Sequence, residues 1–225
     1  MNTIPIRPLL TLKLATLAAL ALILLLLNGC HWVGVNGNGN IKTDSRSVGN
    51  FTILETDGAF TINWVPGPAS LKITTDSNLL EYIRTDVSGD RLHIEWVKPL
   101  KGTHGIKIEI ASPALTRVTL NGAVRLSATN LAGSEFYLDA NGATKATLTG
   151  NVNAMSAELN GASKLEANGL VTRAMELSIS GAGKAEVNAT EVLKVSISGA
   201  GKVVYSGNPT VSKQISGAGS VRQRE

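Results

Sequence analysis

Five cations recur at one position of a repeated motif. Arg125, Lys145, Lys164, Lys184 and Lys202 each stand three residues after a glycine. If the motifs stack as neighbouring strands, these side chains form a row with steps of about 5 Å. Like charges placed side by side on a sheet repel, so the row invites an anionic ligand such as a lipopolysaccharide phosphate or an acidic glycan. The opposing reading is a solvated edge, because Glu166 and Glu186 lie two residues further along on the same side. Two of the lysines close the segments GAGK at 181–184 and 199–202. A phosphate-binding loop requires GxxxxGK[ST] opening a helix; here Ala185 and Val203 follow the lysines, so no nucleotide is expected. His31, His93 and His104 show no HxH or HExxH spacing, and no metal or other cofactor is expected. Asp139 and Glu158 fall in one outward column of adjacent repeats. They are the pair that a glycosidase would need across a sugar, although acids in a surface column are the commoner arrangement. Trp64 and Trp96 occupy alternating positions that read as core or end-cap sites rather than sugar platforms.

The chain has 225 residues, 21 basic and 17 acidic side chains and a single cysteine. One cysteine excludes an intrachain disulfide framework and any CxxC metal site. A net charge of +4 without a clustered basic footprint argues against nucleic-acid binding. Residues 1–29 carry Arg7 and Lys13, no acid, and an uncharged run from Leu14 to Leu27. A helix over that run is about 21 Å long, short of the roughly 30 Å of a bilayer core. A basic start, a short apolar run and a small residue at its end read as a secretory leader. The run closes on Leu27-Asn28-Gly29-Cys30, which resembles the lipobox of bacterial lipoproteins, with Asn28 the less usual occupant. The resemblance implies cleavage before Cys30 and acylation of its thiol. His31 stands where an inner-membrane retention signal would show Asp, and resemblance to the enterobacterial sorting rule then implies the outer membrane.

Stacked elements must present the five cations, and the repeats supply them. VTLNGAVRLSA, LDANGATKATL, AELNGASKLEA, LSISGAGKAEV, VSISGAGKVVY and KQISGAGSVRQ align without a gap on Gly122, Gly142, Gly161, Gly181, Gly199 and Gly217, at steps of 20, 19, 20, 18 and 18 residues. A weaker copy surrounds Gly58. Apolar residues stand two before and four after each glycine, and polar ones three before. Period-two alternation on both sides of an Asn-Gly or Ser-Gly corner gives strand, turn, strand. Propeller blades need roughly 40–45 residues. An all-β fold is therefore expected, a single-stranded parallel β-helix with 18–20-residue coils, right-handed as parallel crossovers are. Asn121, Asn141 and Asn160 should then stack as an amide ladder continued by Ser180, Ser198 and Ser216.

Residues 50–111 are less regular but strand-rich, and the 64 residues from Gly58 to Gly122 leave room for about three further coils. The expected organisation is a leader at 1–29, a lipid anchor and linker at 30–49, and a β-helix domain at 50–225. The stretch HWVGVNGNGN at 31–40 has the composition of a flexible tether.

The start NGNGNIKTDSRSVGNFTILETDGAFTINW, the segment DSNLLEYIRT, the SGAGK repeats and the close YSGNPTVSKQISGAGSV are similar to the head GIN domain family, a family of adhesin-like proteins also described as a domain of unknown function. The resemblance spans residues 37–222 or so. It implies a single β-helix domain, secreted or anchored at the bacterial surface, without an established activity or catalytic residues. The expectation is a non-catalytic, lipid-anchored envelope protein that serves as an adhesive or structural binding module. Its partners would be the membrane, through the lipid, and an anionic glycan or lipopolysaccharide. A carbohydrate-binding or carbohydrate-active β-helix, of lyase or hydrolase type, is the rival expectation.

Overall fold

The computed structural model describes residues 34–225; the expected leader at 1–29, Cys30 and His31 lie outside them. Val35–Glu225 form one compact unit. Its strands in chain order are β1 (Val35–Asn36), β2 (Ile41–Arg46), β3 (Ile53–Gly58), β4 (Thr61–Pro66), β5 (Ser70–Asp76), β6 (Ile83–Ser88), β7 (Arg91–Trp96), β8 (Leu100–Lys101) and β9 (Lys107–Ser112). Then come β10 (Arg117–Gly122), β11 (Arg125–Gly142), β12 (Lys145–Gly161), β13 (Lys164–Gly181), β14 (Lys184–Gly199), β15 (Lys202–Ser206), β16 (Thr210–Gly217) and β17 (Ser220–Gln223). The only helical turn among the described residues is a 3-10 turn at Leu80–Tyr82, and no helix there is long and apolar enough to cross a membrane.

The expected β-solenoid is present. Each of the long strands β11 to β14 runs round most of one coil, and successive coils pair in parallel. Two faces result. The first carries β3, β10, the C-terminal parts of β11–β14, and β16. The second carries β4, the N-terminal parts of β11–β14, β15 and β17. The motif glycine forms the corner between the faces. Gly58, Gly122, Gly142, Gly161, Gly181, Gly199 and Gly217 are in register. Ala123, Ala143, Ala162, Ala182 and Ala200 each donate to the glycine carbonyl one coil below, as Ala143 N does to Gly122 O at 2.9 Å.

The alternation read from the sequence becomes the interior. Leu120, Ala140, Leu159, Ile179 and Ile197 point inward from the first face, and Leu126, Ala146, Leu165, Ala185 and Val203 from the second, all buried. Each buried Leu, Ile or Val side chain stabilises the fold by about 1.5–3 kcal/mol. A third inward column shrinks along the stack, from Phe136 through Met155, Met175 and Leu193 to Val211. The coils shorten in the same direction, with register shifts between Ala167 and Val171 and between Thr172 and Ala174. The amide ladder also forms. Asn141 Nδ2 donates to Asn121 Oδ1 at 3.0 Å and Asn160 Nδ2 to Asn141 Oδ1 at 2.8 Å, with Ser180, Ser198 and Ser216 next in the column.

Two expectations about the N-terminal part are corrected. The 64 residues between Gly58 and Gly122 are not three successive coils, because β10 pairs directly with β3 and Gly122 lies on Gly58. The intervening chain forms a coil on the opposite side of β3 and β4, built from β7 and β9, and adds antiparallel partners there. In these, β6 pairs with β7, and β5 pairs with both β9 and β2. Antiparallel strands end a stack of parallel coils, which explains why the 18–20-residue period fails in this region. The linker composition at 31–40 likewise gives way to order from Val35 onward. β1 pairs with β8, and the buried Asp76 carboxylate accepts from Gly39 N at 2.6 Å and from Thr103 N and Oγ1, each at 2.9 Å. Burial opposes its charge, but these donors outweigh that and hold the Asp76 carboxyl below its ordinary value. Gly37 lies against the same carboxylate, where a Cβ would come within 2.3 Å of Asp76 Cγ, so glycine here serves close packing rather than flexibility.

Candidate functional site

On the second face, parallel pairing brings Arg125, Lys145, Lys164, Lys184 and Lys202 into one unbroken register column. The neighbouring outward column carries Thr147, Glu166 and Glu186. Glu166 bridges two of the cations, with Oε1 2.6 Å from Lys164 Nζ and Oε2 3.0 Å from Lys145 Nζ, and it accepts from Thr147 Oγ1 at 3.2 Å. Glu186 pairs with Arg224 instead. No carboxylate pairs with Arg125, Lys184 or Lys202 among the described residues. The five cations therefore stand in one row, with Lys145 and Lys164 sharing a single carboxylate and both ends free of one.

Hydrogen bonds from Lys164 first, and then Lys145, lower the Glu166 carboxyl from 4.5 to about 2, against a smaller opposing contribution from burial. Because the folded value is depressed, the stabilisation is complete above the unfolded value and is lost as pH falls from about 4.5 towards 2. Glu166→Gln should remove that component. Urea midpoints of the variant should fall less steeply than those of the parent across this window, and parallel curves would show that the bridge carries no folding energy.

The first face bears a groove of about 330 Å³. Two outward columns build it, Glu135, Ala154, Ala174 and Val192 in one and Tyr137, Ser156, Glu176 and Lys194 in the other. The middle members Ala154, Ser156 and Ala174 are small, and this leaves the hollow between larger flanks. Tyr137 Oη donates to Glu135 Oε2 at 2.7 Å, and the Arg117 guanidinium lies 4.4 Å from the Tyr137 ring centre. The hydrogen bond to Glu135 raises the phenol above its ordinary value. Beside the groove, Arg117, Tyr137, Asp139, Ser156 and Glu158 line a smaller hollow of about 110 Å³. Asp139 and Glu158 are register neighbours, as the repeat requires, and Asp139 Oδ1 is buried without a hydrogen-bond partner. Sequence reasoning reached the acid pair but not the groove, because the depth comes from small outward residues whose columns lie outside the motif.

The other singled-out residues within the described range make packing contacts or local bonds. Trp64 is buried, with Nε1 donating to Ser112 Oγ at 2.9 Å. Trp96 packs against Phe60 with ring centres 6.1 Å apart. His104 Nδ1 lies 2.9 Å from Thr103 Oγ1, and His93 Nε2 lies 2.8 Å from Asp57 Oδ2. In the GAGK segments, Gly183 and Gly201 are fixed by the inward isoleucines, since an added Cβ would approach Ile179 Cγ2 and Ile197 Cγ2, respectively, at 2.8 Å.

A family model described as "Putative auto-transporter adhesin, head GIN domain" matches residues 50–209. No curated protein matches the chain in sequence. Among solved structures, "a putative adhesin" from Bacteroides fragilis is similar at a TM-score of 0.69 and 22% identity, covering 85% of this chain and 100% of that one. A "putative lipid binding protein" from Parabacteroides distasonis gives 0.56 and 21%, covering 85% and 99%. "A putative adhesin" from Parabacteroides merdae gives 0.53 and 21%, again covering 85% and 99%. At this identity the likeness is one of fold.

Proposed function

Starting from a chain that belongs to the head GIN domain family of auto-transporter adhesin-like proteins, we propose a non-catalytic, lipid-anchored module of the bacterial cell envelope that binds an anionic glycan or lipopolysaccharide through its second face. The observation that carries this reading is the register column of five cations, three of them free of carboxylate partners. Charges at a fixed spacing near that of stacked strands, roughly 4.8 Å, suit a polymer with repeated phosphates or carboxylates. Exposed charges of this kind act strongly only at low ionic strength. Replacing Arg125, Lys184 and Lys202 together by Gln should weaken binding to anionic glycan or lipopolysaccharide at least tenfold at low salt and flatten its salt dependence. Unchanged affinity would overturn the reading.

The anchor rests on the Leu27-Asn28-Gly29-Cys30 segment. Thioether-linked diacylglycerol adds about 0.8 kcal/mol of membrane affinity per buried CH₂, enough with two or more chains to hold a protein on a bilayer. Radiolabelled palmitate should enter the parent chain and not Cys30→Ala; equal labelling would refute acylation there.

One observation favours a second reading, in which a sugar is bound or cleaved at the first face. Asp139 Oδ1 is buried and unpartnered, beside Glu158, in a hollow that adjoins the open groove. A glycan that still binds the triple second-face variant and fails to bind Asp139→Asn would transfer the function to this face.

A further inference from the structure

We infer that Glu55, Asp57 and His93 form a binding site for a first-row divalent cation, zinc foremost. Parallel pairing of β3 with β7 sets Glu55 opposite His93 and Asp57 opposite Glu95. The three side chains project outward from the first face, and one ligand atom from each lies within 4.8 Å of the others. One imidazole nitrogen and two carboxylate oxygens are a donor set that zinc and its neighbours in the row accept, whereas calcium and magnesium take oxygen alone. His93 and Asp57 are 34% and 46% exposed at their side chains. An ion held there would keep open positions for water or for an anionic group of a partner.

The cluster is supported from behind by the amide ladder. Asp57 Oδ1 accepts from Asn121 Nδ2 at 3.0 Å, Asn121 Oδ1 from Asn141 at 3.0 Å, and Asn141 Oδ1 from Asn160 at 2.8 Å. Every amide in the column donates towards Asp57, and the chain of donors ends on its carboxylate. This fixes one oxygen and turns the other, Oδ2, to His93. Glu55 is oriented in the same way, with Oε2 held by Arg91 Nη1 at 2.9 Å and Oε1 left over. Outer hydrogen bonds that orient ligating carboxylates commonly change metal affinity 10- to 100-fold. The Arg91 charge opposes the ion and makes this a weaker site than a closed structural zinc centre. On the other side of His93, β6 places Asp86 opposite it in register, which supplies further negative charge. None of these residues belongs to the basic row of the second face, so the inference stands independently of the glycan reading.

The test uses the full chain, stripped with chelator, with zinc followed by calorimetry and cobalt(II) by its visible absorption. One equivalent should bind, and the cobalt spectrum should report nitrogen ligation. His93→Gln keeps a donor for Asp57 but not the imidazole ligand and should weaken binding at least tenfold, as should Asp57→Asn. Asn121→Ala, which does not reach the ion, should weaken it several-fold at a temperature where circular dichroism matches the parent. Absence of a saturable site would overturn the inference. So would undiminished binding by His93→Gln, which would leave only surface carboxylates as ligands.

Discussion

Gly150→Ala is expected to lower folding stability by more than about 3 kcal/mol, an effect at the upper end for a single methyl group. Gly150 adopts φ +135°, outside the regions that side chains favour, and its missing Cβ would lie 2.1 Å from Leu131 O and 2.5 Å from Leu131 N. Both atoms are backbone of the coil below, paired in register with Gly150, so no side-chain rotation can relieve the clash. Strain of this backbone type costs about 1–3 kcal/mol by itself, and displacement of a paired coil adds to it. Gly39→Ala is the matched comparison. Gly39 also has a positive φ, +76°, but nothing lies within 4 Å of its missing Cβ. Only the conformational cost, about 1–2 kcal/mol, should appear there. Urea unfolding of the two variants separates the contributions, and equal losses would show that coil-to-coil contact is not what demands glycine at 150.

The second large effect concerns the repeat's own variation. Gly183→Ser should destabilise by about 1–3 kcal/mol through overpacking, and Ile179→Leu should recover most of that loss. The reason lies in two inward positions on either side of each corner. Where Leu120, Ala140 or Leu159 stands two residues before the motif glycine, the position two after it holds Val124, Thr144 or Ser163, all buried. Where Ile179, Ile197 or Ile215 stands before, the later position is Gly183, Gly201 or Gly219. The Ile Cγ2 methyl fills the space that a Cβ would need, 2.8 Å from the missing Cβ at Gly183 and 2.7–3.1 Å at Gly219. Leucine branches one carbon later and leaves that space free. The double variant reproduces the Leu159/Ser163 pair of the adjoining coil, where Ser163 Oγ donates to Asn160 O at 2.9 Å and accepts from Thr144 Oγ1 at 2.9 Å. Stability losses that add within about 0.5 kcal/mol would refute this exchange of volumes, since uncoupled sites behave that way.

These two cases show where the sequence is informative. The glycine spacing and the alternation around it dictate coil, corner and register together, because a solenoid coil meets only its neighbours and repeats the same local solution. The amide ladder, the cation column and the Asp139–Glu158 adjacency all follow from that register. The GAGK segments show the reverse case, in which a motif resembling a ligand site is the trace of side-chain volumes exchanged across a corner.

The N-terminal part was not legible in the same way. Its strands alternate properly, but nothing local shows that β10 returns to β3 past 58 residues of intervening chain, or that β2, β5 and β6 run antiparallel at that end. Long-range pairing of this kind is decided by which unpaired edge each strand can cover, a property of the whole stack.

The sequence by itself therefore determined the coil length, the corners and the outward columns of the regular region. Each depends on spacing within about 20 residues. Only the tertiary structure decided which charges are neutralised, how small residues at 154, 156 and 174 open a groove, and that His93 meets Glu55 and Asp57. Those three residues are separated by up to 38 positions, and they become neighbours because β7 adds to the free edge of β3. Separation along the chain carries no distance once strands from distant segments share one sheet.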